Sequence, residues 1–148
     1  MKKIMFAESQ DLAQVAILFN DYRVFYKQPS DLMAAEGFIK TRFIQQDSKI
    51  FVCKNKDQKI MGFVQLYPTF SSVSLKRAWI LNDLYVSEFF REKGVATALL
   101  EAVQTFAKQT KAAYIMLETA KTNLKAQSLY QQFGFKQHMD TLYLVSDL

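Results

Sequence analysis

Apolar residues near the amino terminus recur at helical spacing. Leu12, Val15, Ala16, Leu18 and Phe19 follow a strand-like run from Lys2 to Ala7, and Ser9 offers the helix a cap. Pro29-Ser30-Asp31 reads as the start of a second helix, with Leu32, Ala35, Phe38, Ile39, Phe43 and Ile44 as its buried side. The period then shortens. Ile50 to Cys53 and Ile60 to Tyr67 predict a hairpin around the polar turn Asn55-Lys56-Asp57-Gln58, and Pro68 to Ser74 reads as a loop. Arg77 to Val86 predicts a long strand, with Trp79, Leu81, Asp83 and Tyr85 on one face and Ile80, Asn82, Leu84 and Val86 on the other. Asn82 and Asp83 are polar inside an apolar stretch, so they need partners or a task.

From Gly94 the helical period returns, with Leu99, Leu100, Val103, Phe106 and Ala107 along one side. Ala113 to Leu117 predicts another strand. Thr122-Asn123 caps a last helix carrying Ala126, Leu129, Tyr130 and Phe133, which Gly134 stops. Phe135 to Val145 is expected to supply the closing strands. The order β-α-α-β-β-β-α-β-α-β predicts an α/β sandwich. No repeat, linker or low-complexity tract divides it, so residues 1–148 are expected to form a single domain.

Composition narrows the function classes. Half of the 148 residues are apolar and 22% are charged, as in a soluble globular protein. No stretch of about 18 apolar residues predicts a membrane span, and no secretory signal follows Met1-Lys2-Lys3. Cys53 is the only cysteine, so it offers neither an internal disulfide nor a zinc ligand set, and a reducing cytoplasmic setting is expected. The net charge of +5 is spread along the chain without a dense block. That pattern argues against a nucleic-acid groove and leaves room for a phosphate-bearing small molecule.

One segment carries chemistry. The strand ending Leu81-Asn82-Asp83-Leu84-Tyr85-Val86 leads to Arg91-Glu92-Lys93-Gly94-Val95-Ala96-Thr97, where small residues open a helix. First-turn N–H groups lack intrahelical acceptors, and together with the helix dipole they suit a pyrophosphate. The motif is not a Walker A loop, because no glycine lies five residues ahead of Lys93-Gly94. It is not a GxGxxG fingerprint either, since Ala96 and Leu99 replace the later glycines. About 30 residues on, after one more strand, comes Asn123-x-x-Ala126-x-x-Leu129-Tyr130-x-x-x-Gly134-Phe135. Ala126 and Tyr130 share a helix face.

This ordered pair of motifs resembles the GNAT family of N-acetyltransferases from about Met61 to Phe135. Arg91-x-x-Gly94-x-Ala96 is similar to the family's pyrophosphate loop, and Leu129-Tyr130 with Gly134-Phe135 to its second cofactor motif. The resemblance implies a GNAT-like three-layer α/β/α sandwich with a mixed sheet splayed after its fourth strand. Acetyl-CoA would lie in the splay, held by backbone at Leu84, Tyr85 and Val86, by the turn from Arg91 to Thr97, and by Asn123. Tyr130 would point at its sulfur as the acid for the leaving thiolate. Backbone N–H groups at Val86 or Tyr85 would bind the developing oxyanion.

The family resemblance also implies a glutamate base where this chain has Asn82, and an amide cannot serve. Asp83 and Glu118 are the available carboxylates, acting directly or through water. His138, the only histidine, reads as a surface or core residue. Tyr22, Arg23, Tyr26, Tyr67 and Asn82 are candidate acceptor-lining residues, whose rings could surround an aliphatic or cationic amine. The expected reaction is direct acetyl transfer from acetyl-CoA to a primary amine in a ternary complex. The expected partner is a small-molecule amine, with no nucleic acid, membrane or metal, and with a homodimer left open. A protein N-acetyltransferase and a CoA-binding regulatory module without turnover are the alternatives.

Overall fold

The computed structural model describes residues 1–148, in two compact units, 1–118 and 119–148. In the first unit, β1 (Lys3–Phe6), β2 (Lys49–Lys54), β3 (Ile60–Ser71), β4 (Lys76–Val86) and β5 (Ile115–Met116) form one mixed sheet in sequence order. The first four strands are antiparallel neighbours, and β5 runs parallel to β4. Helices α1 (Leu12–Phe25) and α2 (Leu32–Gln45) follow β1, and α3 (Val95–Gln109) lies between β4 and β5.

Cross-strand partners share a face, so the pairing register divides the core in two. On one face Val52 and Phe63 pack with Val15, Leu18 and Phe19 of α1 and with Ala35 and Ile39 of α2. On the other, Phe6 and Phe51 meet Phe106 of α3, and the buried Trp79 donates Nε1–H to Thr110 Oγ1 at 2.9 Å. The register puts position 62 on this second face, where only glycine fits. A Cβ there would stand 2.9 Å from the Tyr85 carbonyl and 3.0 Å from Val95. Helices thus cover both faces of the sheet, the three-layer α/β/α arrangement.

The chain departs from its pattern in several places. The α1 cap is Asp11 rather than Ser9, because Ser9–Asp11 forms a 3-10 turn closed by the Asp11 carboxylate accepting from Glu8 N–H at 2.9 Å. Asp11 also pairs with Lys54 at 2.7 Å, and both side chains are buried. Only Ala35 and Ile39 of the expected α2 face are buried, since one neighbour, α1 with the sheet below it, covers a narrow stripe. Ile44 and Phe38 are exposed. Pro68 to Ser71 continues β3 instead of looping, because Pro68 faces Trp79 in the ladder and Ser71 still pairs with Lys76.

The main correction concerns β4. Leu66 pairs with Leu81 but Gln65 pairs with Asp83, so Asn82 is an extra residue, a β-bulge. The bulge shifts the alternation by one. Trp79, Leu81, Leu84 and Val86 therefore face α3, while Ile80, Asp83 and Tyr85 face α1. Leu81 and Asp83, expected on one face, lie on opposite faces.

In the second unit, Asn123 caps α4 (Leu124–Gln132) by accepting from Ala126 N–H at 3.1 Å, and Gly134 ends it at φ 85°. The expected closing strands from Phe135 to Val145 are absent: residues 135–148 carry no helix or strand. The expected strand from Ala113 to Leu117 shrinks to Ile115–Met116. A strand exists only with a ladder partner, and β5 has one on its β4 side alone.

Candidate active site

The bulge also sets which backbone groups of β4 are available. Before it, Trp79 N–H donates to the Tyr114 carbonyl at 3.1 Å, and Ala113 N–H donates to the Arg77 carbonyl at 2.8 Å. The odd-numbered residues there face β5. After it, Ser87 N–H donates to the Met61 carbonyl on β3 at 2.9 Å. Strict alternation then directs the N–H and C=O of Leu84 and Val86 away from β3 and those of Tyr85 toward it. The β4–β5 ladder stops at Ile80 and Met116, so the edge from Leu81 to Val86 has no strand beside it. Leu84 and Val86, not Tyr85, present backbone hydrogen-bonding groups there. Of the two sequence candidates for an oxyanion donor, this geometry excludes Tyr85.

That edge runs into the turn before α3. Gly94 is the α3 N-cap at φ 74° and places no side chain over the first-turn N–H groups. Arg91 folds back on the strand: its Nε–H donates to the Val86 carbonyl at 3.3 Å and its Nη2 to the Tyr85 hydroxyl at 3.3 Å. The Lys2 ammonium donates to the Lys93 carbonyl at 2.6 Å, adding a cation beside the turn. Nothing in the sequence marks Lys2 for that place. Arg91, Glu92, Lys93 and Gly94 are exposed, Val95 is buried in the core, and Ala96 and Thr97 are half-buried. An uncapped, cation-flanked helix start beside an open strand edge fits a diphosphate joined to an amide-bearing arm.

On the α1 face, Asp83 is 2% exposed. Its Oδ2 accepts from Gln65 Nε2 at 2.7 Å and its Oδ1 from Asn82 Nδ2 at 3.1 Å. Tyr22 of α1 donates its hydroxyl to the Asn82 carbonyl at 3.0 Å, tying α1 to the bulge. Burial raises the Asp83 carboxyl above the usual carboxylate range, against the hydrogen bonds from Gln65, Asn82 and Tyr22. The Tyr22 ring lies 4.9 Å from Tyr26 and 6.3 Å from Tyr85. Tyr67 accepts from Gln65 Nε2 at 3.3 Å, and burial, then the charge of Asp83, pushes its hydroxyl up to about 12. Burial and Asp83 also raise Tyr26. Asp21 is raised by desolvation and then by the nearby Glu88.

The structure therefore brings Tyr22, Tyr26, Tyr67, Asn82 and Asp83 together. Arg23 is half-buried in the last turn of α1. Glu118 is exposed and lies beyond β5. In the second unit, Asn123 spends its side-chain oxygen on the α4 cap, and the half-buried Tyr130 ring meets Phe135 at 5.7 Å between centroids.

Sequence reasoning missed Gln65. It is fully buried, donates to Asp83 and Tyr67, and accepts from Ser48 Oγ at 2.9 Å. Its signal was a lone amide in the apolar run Phe63-Val64-Gln65-Leu66. Burial also raises the Cys53 thiol, which removes it as a nucleophilic relay.

Comparison with known proteins identifies relatives of the chain. The model of the acetyltransferase (GNAT) family matches residues 13–135. An uncharacterized N-acetyltransferase of Bacillus subtilis (strain 168), YhfO, is 47% identical over 131 residues, 88% of this chain and 87% of that protein. A probable acetyltransferase of Haemophilus influenzae is 28% identical, over 90% of each chain. The crystal structure of a probable acetyltransferase superposes with a TM-score of 0.94 at 35% identity, covering 99% of this chain and 97% of the other. The chain therefore belongs to the GNAT family and is an acetyl-CoA-dependent N-acetyltransferase.

Proposed function

We propose that the chain transfers the acetyl group of acetyl-CoA directly to a primary amine of a small molecule. The observation that carries this reading is the carboxylate of Asp83, held at the bulge among the tyrosines of α1 and β3. A buried anion edged by aromatic rings favours a compact cation such as an alkylammonium. Asp21 and Glu88 add negative charge nearby.

When bound, acetyl-CoA supplies the acetyl group activated as a thioester. The α3 first turn, with Arg91 and Lys2 beside it, would hold the pyrophosphate, and the Leu84 and Val86 backbone would pair with the pantetheine arm. Val86 N–H is the donor that would face an oxyanion at this edge. Asp83 takes the proton the ammonium must lose, directly or through a water. Glu118 is the second candidate for that step, and its exposure makes it the weaker one. The motif match assigns Tyr130 as the acid that protonates the leaving sulfur and Asn123 as a further cofactor contact.

Thiol release from acetyl-CoA, measured over a panel of small primary amines and lysine-containing peptides, tests the reading. Turnover is expected with small amines, and Tyr130→Phe should lower it by about 10²-fold, the lower end for general acid catalysis. Release with peptides alone would replace the small-molecule reading with a protein-directed one. Binding without release against every acceptor would favour a regulatory module.

A further inference from the structure

Gln65 is fully buried, in a strand whose neighbours Phe63, Val64 and Leu66 are buried with it. A buried amide costs free energy unless its hydrogen bonds are made, and an apolar side chain of similar size would fill the space without that cost. Here every end of the amide is engaged. Nε2 donates to Asp83 Oδ2 at 2.7 Å and to the Tyr67 hydroxyl at 3.3 Å, and Oε1 accepts from Ser48 Oγ at 2.9 Å. The bulge makes the contact possible. It sets Asp83 opposite Gln65 in the ladder and supplies Asn82 to the other carboxylate oxygen at 3.1 Å. An ionised carboxylate only accepts, so the amide must present its nitrogen there. Ser48, just ahead of β2, donates to the oxygen end and leaves the nitrogen for Asp83. A carboxylate accepts about four hydrogen bonds, and those from Gln65, Asn82 and Tyr22 leave room for a proton to arrive.

We propose that Gln65 is a positioning residue for the reaction: it holds Asp83 Oδ2 in place at the bulge, and Ser48 fixes which end of its amide does so. This rests on the reading of Asp83 as the base and adds the two residues that act through it. The titratable groups facing Asp83 are Tyr22 and Tyr26 of α1 and Tyr67 of β3. Phenols ionise well above the carboxyl range, so they stay neutral while Asp83 titrates. Arg42 and Asp47, which act on Tyr67, pair with each other at 2.9 Å, and Asp21, Glu88 and Arg91 act on Tyr85. The donors that answer the charge of Asp83 are therefore neutral. Among them Gln65 makes a shorter bond than Asn82 does.

Carbon-13 labelling of aspartate lets NMR follow the Asp83 carboxyl without any turnover, with Asp83→Asn identifying its signal. Gln65→Met fills the same space without a donor. The carboxyl midpoint should rise there by about one pH unit or more, as expected for losing one hydrogen bond to a charged group. Ser48→Ala, at a half-buried position outside the core, should raise it by less, and Ser48→Thr should return it. In each variant the rising limb of kcat/KM should move with the midpoint, while the KM for acetyl-CoA stays where it is. A midpoint at its wild-type value in Gln65→Met overturns the proposal. Should that variant fail to fold, an unmoved midpoint in Ser48→Ala overturns it instead. A midpoint that moves while the limb does not shows that another group is the base. That outcome removes Asp83 from the reaction, and Gln65 with it.

Discussion

Burial raises the Asp83 carboxyl, while hydrogen bonds from the Gln65, Asn82 and Tyr22 side chains pull it back, and burial wins. The raised value has two consequences of known sign. Protonated Asp83 cannot take a proton, so kcat/KM should rise with pH as the carboxyl ionises, and Asp83→Asn should remove that limb of the profile. Glu118→Gln should leave it in place. An unchanged Asp83→Asn profile would hand the step to Glu118 or to solvent. Stability runs the other way. A carboxyl raised in the folded state costs nothing below its unfolded value and costs progressively more as pH rises through the folded one. The Tm of wild type minus that of Asp83→Asn should therefore fall as pH is taken from about 4 to 7. A difference that grows over this window would mean that the hydrogen bonds outweigh burial. Asp83 was legible as an anomaly in the sequence, a charge within an apolar strand. Its partner Gln65 is 18 positions away, and only the register brings the two together.

At the scale of elements, the helices and the glycine turn before α3 were readable because their signals are local. Asp31 and Asn123 cap α2 and α4 as their side chains require, and Gly94 and Gly134 take the left-handed conformations their positions demand. The bulge was not readable. One extra residue at Asn82 changes the facing of everything beyond it, and nothing in a single strand's pattern says which register its neighbour adopts. Gly94 tests the turn. At φ 74° a Cβ is strained, and it would stand 3.0 Å from the Lys2 ammonium. Gly94→Val should therefore abolish CoA binding measured by calorimetry while the far-UV spectrum stays that of the wild type. Unchanged affinity would remove the pyrophosphate from this turn.

At the scale of the whole molecule, the sequence misled about the carboxyl-terminal strands for a physical reason. The residues from Phe135 to Val145 have strand propensity, and propensity does not supply the neighbour that makes a strand. Asn82 has a consequence for the whole molecule as well: it is one residue more than the ladder needs, so a chain without it would keep the pairing of β3 with β4 while losing the carbonyl that accepts from Tyr22 of α1.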